Sequence, residues 1–463
     1  MRVIVQKYGG KCVEPGGNEL ITAERIMETA DLGFSPVVVV SAMGRELRNW
    51  DAELAEMLSQ PEGARKLAMA HFYSTAELVR LVKEIDPGIE PRELDMLMSC
   101  GEIISTVRLA HLLKSRGYPT MALTGGQVGL ITDGFFGNAR VIETRIAQLI
   151  ECLDRPSIPM VAGFQGVSPT GHAITTLGEG GSDYTAVCLA YALMHAERAP
   201  LQDPIELHRV EIYKEVNGVM TANPAHFSAA QIDAGEGPYQ LPQLTFDELC
   251  AMSQYGADVI QAEAARMARR YNIAVVVRNY RNPADPGTLI HVEVPADRAR
   301  LVTGVADMSN MTVFCIADGN ERAHRRIGEL LAQARLNYQV LPVRDGSWKF
   351  AVKREKYREV ADVVRGMLAP RGQEPLFEDG RWALVTIVGE GLRDRVEEIA
   401  PRANDVLASA GLEVEGEIRD ALSYSVLVRE EQRKDAILAL HGEFIAVDDI
   451  VGADLRLGPG SDA

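Results

Sequence analysis

The sequence predicts an α/β protein in which a mainly parallel sheet, covered by helices on both faces, is followed by two small ferredoxin-like α+β modules. Three observations carry this prediction. Apolar, β-branched runs alternate with helical stretches through the first 290 residues. Turn glycines cluster directly after the strand ends, where ligands gather in open α/β sheets. The C-terminal part repeats one β-α-β-β-α order twice.

The elements follow in chain order. "VIVQKYGG" is an apolar strand closed by a glycine turn, and "PVVVVSAMG", residues 36–44, is a run suited to burial on both faces. "PTMALTG", "IPMVAGFQG", "VEIYKEVNG" and "IAVVVRNY" repeat the theme. Helical spacing is read over 99–115, 139–153, 182–195 and 245–271. Beyond residue 300 the first repeat reads strand 311–317, helix 322–335, strands 338–343 and 348–352, and helix 354–368. The second reads strand 382–388, helix 393–410, strands 412–418 and 423–428, and helix 431–440. Each module is expected to finish with a further short strand. The expected domains are 1–295, 300–372 and 380–455, with a disordered tail at 456–463 ending in "GPGSDA".

Composition narrows the function. A net charge of −17 argues against a nucleic-acid or anionic-membrane surface. Six cysteines lie scattered, with no C-x-x-C pair and no His/Cys cluster, so reduced thiols are expected and no resident metal site. The opening "MRVIVQKYGGK" runs straight into a strand without a signal-peptide core, and no apolar run approaches about 20 residues. The expectation is a soluble, cytoplasmic protein.

Five stretches are candidates for chemistry. In "KYGGK", Lys7 ends a strand and Gly9 and Gly10 let backbone N–H groups approach phosphate. By itself this reads as a turn, and no Walker A spacing occurs anywhere. "SCGEIIS" is read as opening a helix, with Ser99 as cap and Glu102 in the first turn, either as a simple dipole-favoured carboxylate or as a receiver of a substrate ammonium. "TTLGEGGSDYTA", residues 175–186, is a glycine-rich entry to a helix whose first turn carries Ser182 and Asp183; it suits an anion or equally a simple cap. "ITDGFFGNARV" reads as a loop, and "IYKEVNGVMTANP" as a strand and turns compatible with a nucleotide edge.

In this order the stretches resemble aspartate kinase, a member of the amino-acid kinase superfamily with C-terminal ACT modules. The resemblance covers nearly the whole chain and rests on the collinearity of "VVVVSAMG", "GEIISTVRLAHLL", "GYPTMALTGGQVGLITDGFFGNARV", "VAGFQGVSPTGHAITTLGEGGSD" and "VVVRNYRNPADPGTLI". It implies phosphorylation of the side-chain carboxylate of L-aspartate by ATP with Mg²⁺, the first step toward lysine, threonine and methionine. It also implies an amino-acid effector on the ACT modules and a homodimer or higher homo-oligomer. Lys7 would neutralise the transferring phosphoryl group, and Asp183 would orient the lysines. Ser41, Glu102, Thr176, Glu179 and Ser182 would line the substrate site, with Glu102 on the amino group. Lys7, Gly9, Gly10, Tyr213, Lys214, Glu215, Asn223 and Asp258 would face ATP.

Several positions depart from the family pattern. Lys11 and Cys12 replace Thr-Ser of Lys-Phe-Gly-Gly-Thr-Ser. Glu179 replaces the arginine of Leu-Gly-Arg-Gly-Gly-Ser-Asp, putting an anion where the family grips the substrate α-carboxylate. Lys214, Glu215, Asn217, Asn223 and Ala225 alter the nucleotide strand, and Asp258 stands for a lysine in "GADVIQA". A cation swap is expected, with Lys11 pairing Glu179 or replacing its arginine and Lys214 replacing the phosphate lysine. The alternatives are a paralogue acting on another amino-acid-like substrate, or a non-catalytic, effector-binding regulatory protein.

Overall fold

A computed structural model describes residues 1–44, 72–196, 204–257, 259–292, 301–316, 321–334, 336, 338–341, 348–368 and 376–445. The chain divides into two compact units: Met1–Val219, Gln240–Leu249 and Asp258–Val294 form the first, and Met220–Tyr239, Cys250–Ala257 and Pro295–Ala463 the second.

In the first unit the strands are β1 (Arg2–Tyr8), β2 (Ser35–Val40), β3 (Thr120–Leu123), β4 (Leu130–Thr132), β5 (Val141–Thr144), β6 (Ile158–Ala162), β7 (Gln165–Val167), β8 (Ile174–Thr176), β9 (Glu206–Lys214), β10 (Gln243–Thr245), β11 (Val275–Asn279) and β12 (Thr288–His291). Eight of them form one sheet in the order β10-β12-β11-β9-β1-β2-β6-β3. Its pairings are parallel except for β11 with β12. The uninterrupted valines of β2 are fully buried, as a strand covered on both faces requires. β1 sits between β2, which follows it, and β9, which the chain reaches only after crossing back. Strand order reverses at β1, so a crevice opens beyond its C-terminal end, where Lys7 lies. β4, β5, β7 and β8 form a second, four-stranded sheet.

The helices are α1 (Asn18–Asp31), α2 (Thr75–Lys83), α3 (Pro91–Ser115), α4 (Ala147–Asp154), α5 (Gly181–Met194), α6 (Ala229–Asp233), α7 (Phe246–Gln254) and α8 (Ala262–Arg270). Three sequence expectations change here. α3 begins eight residues before Ser99, because Pro91 supplies the first-turn residue, and the Ser99 hydroxyl bonds back to Met96 O at 2.7 Å instead of capping. The stretch 139–153 is strand β5 followed by α4. The stretch 245–271 is two helices, broken near Gly256, whose φ is +100°. α3 alone among the described residues has the length and apolar composition to cross a membrane, yet its buried residues include Asp95, Ser99, Glu102 and Ser105. It is a core helix.

The second unit contains β13 (Gly304–Ile316), α9 (Glu321–Gln333), β14 (Gln339–Leu341), β15 (Trp348–Lys353), α10 (Tyr357–Leu368), β16 (Leu376–Val388), α11 (Val396–Ser409), β17 (Gly416–Asp420), β18 (Ser423–Arg429) and α12 (Arg433–Phe444). The repeated β-α-β-β-α order is present. The two modules share one sheet in the order β14-β15-β13-β16-β18-β17, joined by antiparallel pairing of β13 with β16. Each module's first strand therefore takes the place beside the other's. The end of the second module and the tail, 446–463, lie outside the described residues. Separate cores support the modules, one around Phe314, Phe350 and Val364 and one around Val385, Tyr424 and Leu407.

At the crevice the backbones approach closely. A Cβ on Gly10 would lie 2.4 Å from Ala42 O, so Gly10→Ala should cost about 2–3 kcal/mol of stability. An unchanged urea midpoint for that variant would show that the turn can relax.

Candidate active site

The strand ends align because the hydrogen-bond ladder continues one residue past each strand. Ser41 N donates to Tyr8 O at 3.1 Å, Gly163 N to Val40 O at 3.0 Å and Gly9 N to Tyr213 O at 3.4 Å. Lys7, Gly9, Ser41, Gly163 and Lys214 are thereby brought to one edge. α5 points its N-terminus at this edge, and a Cβ on Gly163 would lie 2.7 Å from Ser182 Oγ. Gly180, at φ +72°, makes the left-handed turn into the helix.

Lys7 Nζ forms a 2.8 Å ion pair with Asp183 Oδ1, and both residues are buried. Burial pushes the Asp183 carboxyl up, but the charges of Lys7 and Lys214, with a 3.3 Å bond from Gln261 N, hold it below its usual range. The partial positive charge of the α5 N-terminus acts in the same direction. Asp183 thus stays ionised, paired with Lys7 and within reach of the Lys214 charge.

Glu102 is 3% exposed. Its Oε1 accepts from Ala42 N at 3.2 Å, while its buried Oε2 has no hydrogen-bond partner. Because α3 begins at Pro91, Glu102 lies mid-helix and gains no help from a helix N-terminus. Burial therefore dominates and pushes its carboxyl up to about 8, the Ala42 N–H only partly opposing. A buried carboxylate oxygen without a donor suits an incoming ammonium group.

The remaining residues divide. Thr176 is buried at the end of β8, where its N–H and hydroxyl donate to Asp95 at 2.8 and 2.9 Å. Glu179 is exposed and has no ion pair among the described residues. Lys11 pairs with Glu215, not with Glu179, because the turn Gly10–Val13 runs beside the end of β9. The expected Lys11–Glu179 pair is therefore not formed, and the charge of Lys214 acts on Asp183. The Tyr213 ring stacks on Tyr8 at 4.6 Å and its hydroxyl donates to Glu211, so its side chain belongs to the core. Asn223 caps the 3-10 turn Pro224–His226 in the second unit. Asp258 lies outside the described residues.

Sequence reading missed Asp95, Gln165 and Gln261. Gln261 Nε2 donates to Leu177 O at 3.3 Å, and a Cβ on Gly180 would lie 2.9 Å from the Gln261 Cβ, so this residue backs the glycine loop. Gln165 Nε2 donates to Ser99 O at 3.0 Å. The one local signal was that polar residues recur at helical spacing along α3.

Comparison with known proteins agrees with this arrangement. The model of the amino acid kinase family matches residues 2–279. The chain belongs to the amino acid kinase family. Among curated relatives, the aspartokinase of Geobacillus stearothermophilus is 31% identical over 96% of this chain and 97% of its own length. That of Corynebacterium glutamicum is 32% identical, with 96% of each covered. The structure of E. coli aspartokinase III in complex with aspartate and ADP superposes with a TM-score of 0.74 at 22% identity, over 96% of this chain and all of that one. Clostridium acetobutylicum aspartate kinase gives 0.65 at 18% identity, over 95% of this chain and 100% of that one. Those two likenesses concern the fold. The curated relatives, about 30% identical over nearly the whole chain, together with the family match identify an aspartokinase-type phosphotransferase.

Two outcomes follow from the site's electrostatics. Lys7→Ala leaves Asp183 buried without its main partner and should cost about 3 kcal/mol, read as a lowered denaturant midpoint. The Glu102 carboxyl stands at about 8 in the folded chain against 4.5 as its ordinary value, so the folded state holds a proton that the unfolded state has released. Stability contributed here falls as pH rises through that window, by up to about 1.4 kcal/mol per pH unit. Glu102→Gln should flatten this slope in urea titrations between pH 5 and 8; an unchanged slope would assign the pH dependence to other groups.

Proposed function

We propose that this chain transfers the γ-phosphoryl group of MgATP to the side-chain carboxylate of L-aspartate, forming 4-phospho-L-aspartate and ADP. The observation that carries the reading is the pairing of two features at one sheet edge: the Lys7–Asp183 ion pair with Lys214 nearby, and the partnerless oxygen of buried Glu102. The lysines supply positive charge for phosphate oxygens, and Glu102 accepts the substrate ammonium. The attacking carboxylate is ionised near neutral pH, so its oxygen forms the new P–O bond without a general base, while the bond to the ADP oxygen breaks. Catalysis rests on positioning and charge neutralisation. Mg²⁺ bound with the nucleotide would supply further positive charge for the phosphate oxygens. Asp183 is the carboxylate paired with Lys7 at this edge, and Gly9 and Gly10 carry no side chain that would obstruct phosphate.

A second reading is favoured by Glu179: an exposed anion without an ion pair at the glycine loop suits a substrate that lacks a free α-carboxylate or carries a cation. The place in lysine, threonine and methionine synthesis, an amino-acid effector on the second unit, homodimerisation and a cytoplasmic location complete the proposal.

The deciding assay is ADP release from MgATP with and without L-aspartate, with hydroxylamine trapping the acyl phosphate. Aspartate-dependent hydroxamate is expected, and Lys7→Ala should abolish it. Turnover only with an α-carboxamide analogue would move the assignment to the second reading. MgATP binding without any turnover would remove aspartate, and no binding at all would leave a regulatory protein. Amino-acid binding at pH 7 should also release protons, since an ammonium beside Glu102 favours its ionised form. Calorimetry in buffers of different ionisation enthalpy reads that release.

A further inference from the structure

α3 carries a buried polar stripe at positions 95, 99, 102 and 105, a spacing that puts all four on one helix face. Its members tie the helix to neighbouring segments: Ser105 and Glu102 to the 41–43 turn, Ser99 to Gln165 and Asp95 to residues 137 and 176. Ser105 Oγ accepts from Met43 N at 2.9 Å, Glu102 from Ala42 N, and the Ser99 carbonyl from Gln165 Nε2. Asp95 has the largest share. Gly137 N donates to both of its oxygens at 3.0 Å, and Thr176 donates twice.

Asp95 is 1% exposed and has no cationic partner among the described residues. Four donor contacts converge on it, which only an acceptor-only side chain satisfies; an asparagine would turn its own N–H donors toward N–H groups. The segments it joins also touch each other. Ala139 N donates to Thr176 O at 2.8 Å, and a Cβ on Gly178 would lie 2.7 Å from Asn138 Oδ1. Asp133 closes the same turn, accepting from Arg140 N at 3.1 Å.

We propose that Asp95 is a positioning residue for the amino-acid subsite: it locks the 137–140 turn to the end of β8 and references both to the helix that carries Glu102. Thr176 and the glycine loop behind it are then held at a set distance from the ammonium-binding carboxylate. This rests on the amino-acid reading of the site given above. The residue acts on substrate placement, not on phosphate charge, so its loss should separate the two substrates kinetically.

The experiment compares the full-length wild type with Asp95→Asn and Thr176→Val. Asp95→Asn should speed amide exchange in peptides spanning 137–140 and 175–178 by about tenfold or more. It should raise KM for L-aspartate by a similar factor while leaving KM for MgATP within about twofold. Thr176→Val, which removes one of the donors, should loosen the 137–140 peptide by a smaller factor and serves if the first variant does not fold. Unchanged exchange overturns the anchoring, and equal rises in both KM values overturn the positioning role. Exchange requires no turnover, so if the wild type fails to phosphorylate L-aspartate the proposed function falls and Asp95 is judged on exchange alone.

Discussion

The Lys7–Asp183 pair is the interaction on which the site depends. Two buried opposite charges are costly to desolvate, and their attraction compensates only when geometry and further hydrogen bonds are good. Here the geometry comes from a parallel sheet whose first strand is central and from a buried helix whose first turn faces it. Lys7 is fixed by β1 and Asp183 by α5, with Gln261 and the helix dipole adding to the carboxylate side. The glycines around the pair leave room for close neighbours: Gly10 for the Ala42 carbonyl, Gly163 for the Ser182 side chain, Gly180 for that of Gln261. The pair is thus the means by which positive charge stays at the crevice in a chain of net charge −17.

α3 divides the work on the other side of the site. Its apolar residues pack the core while its polar stripe reaches the 41–43 turn, the small sheet and the 137–140 turn. One rigid helix therefore references several loops that are distant in sequence. Glu102 is left with a vacant lone pair at an interior position, and a buried acceptor in that state gains most from a ligand donor. Two departures from the family pattern lie at the margins of this arrangement: Lys11 pairs with Glu215, and Glu179 lies exposed on the loop.

The second unit shows why a duplicated module works as a pair. A lone three-stranded sheet would leave the edge of its long first strand unpaired. Pairing β13 with β16 removes both edges and yields a single six-stranded sheet with two helix-covered cores. The segment Met220–Tyr239 also belongs to this unit, although the chain enters it a few residues after Lys214. Thr221 meets His441 at 3.0 Å and His226 meets Asp307 at 3.0 Å, so that segment is tied to the module by polar contacts as well as by Phe227 in the core.

Residue order by itself determined what depends on local pattern. Buried strands, helix periodicity, the repeated α+β order and the glycines beside Lys7 and Asp183 were all legible, because apolar periodicity and turn chemistry act over a few residues. Boundaries were less legible: Ser99 has the chemistry of a helix cap, but Pro91 begins the helix eight residues earlier. Partnerships across the chain were not legible in local pattern; that of Asp183 with Lys7 was expected from the family resemblance. That Lys11 meets Glu215, that Tyr213 turns into the core, and that Asp95 gathers Gly137 and Thr176 are decided by strand register and helix placement. The same acidic residue type gives a depressed carboxyl at Asp183 and a raised one at Glu102. Only the folded chain sets which one lies beside two lysines and which is buried with a single N–H.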